Sequence, residues 1–125
     1  MQNSIFHLSS PSEIKSGMLA ELQRSMGEMA EELLPELAIM FLEDAPLMFS
    51  QIHQAIINND APKVRELAHS IKGSSVSMGI TALAIHCQAI ENLGHSGELE
   101  SAAARLEQAR AEFEQVKIVL NGYAM

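Results

Sequence analysis

This chain of 125 residues predicts an all-α fold: an up-down four-helix bundle with a short additional N-terminal helix. Three observations carry that expectation. No alternating run of β-branched residues marks a strand. Leu99, Leu106, Phe113 and Leu120 recur at intervals of seven, the spacing of a bundle seam. The apolar-periodic segments are separated only by short clusters of Gly, Asn, Asp, Ser and Pro, the brief connections of antiparallel neighbours.

Residues 1–12 are polar and irregular, although Phe6 and Leu8 are positioned to dock on the bundle. Ser9-Ser10-Pro11-Ser12 is a helix entry, and residues 13–125 make up the bundle. A short helix is expected from about Glu13 to Ser25, ended by Gly27. The next starts near Glu28 and carries Leu33, Leu37, Met40, Phe41, Met48, Ile52, Ala55 and Ile56 as its apolar face. Pro35 and Pro46 lie within it, each removing a backbone donor, so kinks or a break are expected. Asn58-Asn59-Asp60 ends that helix, and Asp60 with Pro62 opens a third that runs to Met78. Gly79 turns the chain. Ile80, Leu83, Ala84, Cys87 and Ile90 form the buried stripe of a fourth helix, with Gly94-His95-Ser96-Gly97 as the turn after it. The fifth runs from about Glu98 to Asn121.

Composition narrows the function classes. Four Phe, one Tyr and no Trp leave eight Met and many Leu, Ile and Ala to fill one modest core. A net charge of −8 argues against nucleic acid or an anionic membrane surface as partner. No secretion signal starts the chain, and the nearest approach to a membrane span, Leu33 to Leu42, is interrupted by Pro35 and Glu36. A single Cys excludes an internal disulfide, so a reducing cytoplasm is the expected compartment.

The chemistry concentrates on the third helix. At 100° per residue, Val64, Leu67, Ala68, Ile71, Ser75 and Met78 form one apolar-to-small stripe. His69 lies roughly 160° from its centre, beside Arg65, Lys72, Gly73 and Val76. Ser75 faces inward, where its hydroxyl bonds a carbonyl of its own helix. A glycine inside a helix costs about 1 kcal/mol relative to alanine, and the serines and valine after it add a few tenths each. A segment chosen only to be helical would not contain Gly73. Its missing side chain clears the approach to His69 one turn earlier. An exposed imidazole, a nearby ammonium and a cleared approach suit a nucleophile that accepts a phosphoryl group. Lys63, Arg65 and Lys72, three of the eight cations, place local positive charge around it.

The set His69-x-x-Lys72-Gly73-x-Ser75-x-x-x-Gly79 resembles the signature of histidine-containing phosphotransfer (HPt) domains of bacterial phosphorelays. The similarity extends upstream through Phe41-Leu42-Glu43-Asp44-Ala45-Pro46 and downstream through Leu83, Cys87 and Glu91. It implies that His69 is phosphorylated, with Lys72 and Gly73 in support. It also implies that the partners are receiver domains of a hybrid histidine kinase and of response regulators. Glu91 stands where family members place a polar side chain, often Gln, near the histidine ring; a carboxylate there would accept from the ring N–H and leave the other nitrogen as nucleophile. Arg65 adds charge on the same face.

Rival readings have less support. His86 and Cys87 are adjacent, so on a helix they diverge by about 100° and cannot chelate together, and no CxxC, HxxxH or HxxEH spacing exists. No metal and no other cofactor is expected. Cys87 fits the core stripe as an inert thiol. No glycine-rich nucleotide loop is present, so phosphorylation from ATP by the chain itself is not expected. A monomer that relays phosphate is the primary reading. A helical adaptor that sequesters signalling partners without phosphate chemistry is the alternative, and the intact His69, Lys72 and Gly73 argue against it.

Overall fold

In a computed structural model, which describes residues 7–124, five helices follow one another: α1 (Pro11–Met26), α2 (Met29–Ile57), α3 (Ala61–Met78), α4 (Thr81–Ser96) and α5 (Leu99–Asn121). Helices α2 to α5 close a ring of neighbours: α2 packs on α3, α3 on α4, α4 on α5 and α5 back on α2. Helix α1 lies across α5, α2 and α3. Within that ring, connections of two or three residues favour antiparallel neighbours. No strand occurs among the described residues.

Local signals set the boundaries. Ser10 caps α1 in a capping box: its hydroxyl accepts from the Glu13 N–H at 3.1 Å while the Glu13 carboxylate accepts from the Ser10 N–H at 2.8 Å. The helix therefore begins at Pro11, two residues before the expected start. Phe6 lies outside the described residues; Leu8 is partly exposed rather than seated in the core. Asp60 caps α3 by accepting from the Lys63 N–H at 3.2 Å. Gly79 and Gly97 close α3 and α4 in left-handed conformation, at φ 74° and 77°.

Three expectations are corrected. Helix α2 runs unbroken through Pro35 and Pro46. Its 29 residues bury Leu34, Ala38, Phe41, Ala45, Phe49, Ile52 and Ala55, and that continuous stripe outweighs the lost backbone bonds. The buried face of α2 is also rotated from the one expected. Ala38 and Ala45 are buried in the core, Leu33, Leu37, Met48 and Ile56 are half-buried, and Met40 is 57% exposed. Finally, Gly94 is not a turn residue: it is a buried residue of α4, and only Gly97 makes the turn.

The α5 seam is as the spacing indicates, with Leu99, Leu106, Phe113 and Leu120 all buried. Phe113 packs against Phe41 and Phe49, with ring centroids 6.1 and 5.7 Å away. Two polar groups inside this core had no signal in the apolar pattern. Buried Glu112 accepts from the Ser9 N–H at 3.1 Å, and buried His86 accepts at Nδ1 from the Arg105 Nε–H at 2.8 Å.

Candidate functional site

His69 sits midway along α3, and its side chain is 66% exposed. The α3 stripe of Val64, Leu67, Ala68, Ile71, Ser75 and Met78 is buried as expected, which forces His69 to the opposite side. Ser75 donates to the Ile71 carbonyl at 2.8 Å, so its buried hydroxyl is satisfied within its own helix.

The helix opposite supplies the rest of the site, and its register on α3 decides which residues meet. Gly94 of α4 rests directly on the main chain of Arg65: a Cβ at 94 would lie 2.9 Å from the Arg65 nitrogen. From that contact the antiparallel pair advances one turn along α3 to His69 and back one turn along α4 to Glu91. The next turn brings Lys72 to Gln88. His69 Nδ1 is 3.0 Å from Glu91 Oε2, and Lys72 Nζ is 3.0 Å both from Glu91 Oε1 and from Gln88 Oε1. Gln88 in turn donates to Asn92 at 2.9 Å. One carboxylate thus joins the imidazole to the ammonium.

The electrostatics of Glu91 determine where the ring proton sits. Burial pushes its carboxyl up, but hydrogen bonds from Lys72 and His69, with the charge of both, hold it below the usual carboxylate range. It is therefore ionised at neutral pH and can only accept. The proton in the contact belongs to His69 Nδ1, which donates. In the neutral ring the lone pair then lies on Nε2.

Of the residues marked on the third helix, the structure brings His69 and Lys72 together through Glu91. Arg65 and Glu66 line a shallow cavity with His69, Ser70 and Glu91. Lys63 instead pairs with Glu66 at 3.0 Å. The expected positive patch is accordingly smaller than the sequence suggests, because acidic neighbours answer two of its three cations. Gly73 is exposed, and a Cβ there would meet nothing within 4 Å. The fold does not require this glycine. Cys87 is fully buried, and burial pushes its thiol up to about 12, so it is no nucleophile.

On the other side of His69 lies a groove of about 510 Å³ between α2 and α3, with Leu37, Met40, Met48 and Met78 on its apolar walls and Gly73 and Ser74 beside the histidine. The sequence reading missed this groove because it assigned Met40 to the core. It also missed Gln88 as a partner of Lys72. The signal for Gln88 was available: it lies three residues before Glu91, on the same face of α4. No helix among the described residues is long and apolar enough to cross a membrane, and none of their His, Cys, Asp and Glu side chains form a group of three able to hold a metal ion.

Comparison with known proteins places this geometry. The Hpt domain family matches residues 36–118. The phosphorelay intermediate protein YPD1 of Saccharomyces cerevisiae is 29% identical over 89 residues, which cover 70% of this chain and 53% of that protein. The chain thus spans about half the length of this relative. The crystal structure of histidine-containing phosphotransfer protein B (HptB) from Pseudomonas aeruginosa PAO1 superposes with a TM-score of 0.69 at 34% identity, covering 84% of this chain and 88% of that one.

Proposed function

The chain belongs to the Hpt domain family, and on that premise we propose that it is a phosphorelay intermediate carrying a phosphoryl group on His69 between receiver-domain aspartates. The observation that carries the proposal is an exposed imidazole with one nitrogen committed to an ionised carboxylate and the other left with its lone pair, beside a glycine that packing does not demand.

The reaction begins with Nε2 attacking the phosphorus of a partner's aspartyl phosphate. The N–P bond forms as the P–O bond breaks, and the electron pair of that bond stays on the partner's carboxylate. Reversal onto a second aspartate discharges the ring. Such transfer depends chiefly on in-line positioning and on neutralising charge at the phosphoryl oxygens. Lys72 supplies charge from α3, with Arg65 one turn before the histidine. In the unphosphorylated chain the Lys72 ammonium is already held by Glu91 and Gln88. The phosphoryl dianion competes for it, and Lys72 needs only a change of rotamer to respond. The groove beside His69 receives the partner. Its methionines are flexible and polarizable, suited to more than one receiver surface. The chain relays phosphate supplied by a partner and does not phosphorylate itself from ATP.

The test is incubation with phosphorylated receiver domains, followed by assay for acid-labile, base-stable label. The parent chain takes up label. His69→Gln takes up none, yet keeps its helical spectrum and melting temperature, because the side chain is exposed. Label persisting on His69→Gln overturns the assignment.

A further inference from the structure

The contact between His69 and Glu91 involves a hydrogen bond and a charge, and the two have different consequences once the ring is phosphorylated. An amide at position 91 would accept the same hydrogen bond from Nδ1–H. Only a carboxylate opposes the positive charge that the ring acquires when Nε2 forms its bond to phosphorus. We propose that the charge of Glu91 holds the proton on Nδ1 throughout the phosphorylated state, so that the ring always departs as neutral imidazole and the phosphohistidine is a labile, readily discharged donor. This rests on His69 being the phosphoryl acceptor.

The balance of the step explains why the proton matters. The neutral ring, protonated at Nδ1, gives its Nε2 lone pair to phosphorus and becomes a phosphoimidazolium. When an acceptor carboxylate attacks the phosphorus, the N–P electron pair returns to Nε2 and the neutral Nδ1–H ring is regenerated. No proton enters or leaves in either direction. Should Nδ1 lose its proton while phosphate is attached, the departing group becomes an imidazolate anion, a far poorer leaving group. Discharge then waits for reprotonation.

The surroundings single out Glu91 for this role. Asp44 reaches the site from α2, Arg65, Glu66 and Lys72 come from α3, and Glu91 comes from α4. Among the described residues only Glu91 is in hydrogen-bond contact with the ring. It is 16% exposed while the ring is 66% exposed, so its charge is less screened by water than that of a surface carboxylate. Lys72 holds the other oxygen and fixes the carboxylate in place for the ring.

The experiment uses the full chain phosphorylated with phosphoramidate and freed of donor, with decay of the phosphohistidine signal followed by ³¹P NMR from mildly acidic to mildly alkaline solution. Glu91→Gln keeps the hydrogen bond and removes the charge. Its phosphohistidine should outlast the parent's in alkaline solution by up to roughly tenfold, because the opposed charge that favours the protonated ring is gone. The two lifetimes should converge in acid, where both rings are protonated. The same separation should persist in a Lys72→Gln background, which removes any effect of freeing that ammonium. Superimposable decay profiles for parent and Glu91→Gln, with label on His69 in both, overturn the inference and leave the acceptor assignment standing. A parent chain that takes no label on His69 overturns both.

Discussion

Gly94 of α4 lies on the main chain of Arg65 of α3, close enough that a single added methyl group would fall 2.9 Å from the Arg65 nitrogen, 3.1 Å from its Cα and 3.2 Å from Val64 Cγ1. This contact governs how α4 presents Glu91 to His69. Alanine normally improves a helix interior by about 1 kcal/mol over glycine. Here two of the three contacted atoms are backbone and cannot rotate away, so overpacking, at about 1–3 kcal/mol, should win. Gly94→Ala is expected to lower stability in urea melts and to lengthen the Nδ1–Glu91 contact, seen as faster exchange of the Nδ1 proton in ¹⁵N NMR. A variant as stable as the parent, with that proton unchanged, would show that the register is set elsewhere.

Acid should release the link between imidazole and ammonium. The Glu91 carboxyl is held below its ordinary value of 4.5, with burial opposing the shift and the Lys72 and His69 hydrogen bonds outweighing it. A carboxyl whose folded value is depressed adds stability that is fully present above the unfolded value and is lost as pH falls through the folded one. The contribution should therefore be intact at neutral pH and disappear on acidification below about 4.5. Glu91→Gln should remove that part of the pH dependence. Urea midpoints for both proteins across this window measure it: the gap between the curves should be widest at neutral pH and shrink in acid. A gap that is constant with pH would mean the carboxylate charge adds nothing to the fold.

Much of this architecture was legible in the chain. The seam from Leu99 to Leu120 and the α3 stripe needed only periodicity, because large residues on one side of a helix have nowhere else to go. His69 followed from the same rotation, as the residue opposite the stripe. What failed was anything that depended on how closely two helices approach. Periodicity weighted by size put Met40 in the core and overlooked Ala38 and Ala45, yet both alanines are fully buried and Met40 is not. The same bias read Gly94 as a turn. Glu91 is the exception: its bond to His69, found at 3.0 Å, depends on an interhelical register that no single helix encodes, and only the family resemblance pointed to it. At Pro35 and Pro46 the helix does not break, since the local penalty is real and tertiary burial overrides it.

Gly73 separates what the fold needs from what the site needs. At Gly79 a side chain would collide with α1, 2.5 Å from Glu21 Cβ, at a backbone φ of 74°; at Gly94 it would strike α3. At Gly73 it would meet nothing within 4 Å. Replacing it with alanine should therefore stabilise the isolated protein by up to about 1 kcal/mol, through helix propensity and a less flexible unfolded chain. Glutamine should gain less, and its longer side chain would occupy the exposed turn next to His69, at the edge of the groove. A receiver must bring its aspartyl phosphate to about 3–3.5 Å from Nε2, and that side chain stands in the way. Gly73→Gln should thus melt no lower than the parent and yet accept phosphate from a receiver much more slowly, while phosphoramidate, small enough to pass, still labels it. Melting curves and transfer rates on the same samples decide the matter. Transfer from the receiver at the parental rate would mean that the open turn has no part in docking, and that this glycine serves some purpose other than access.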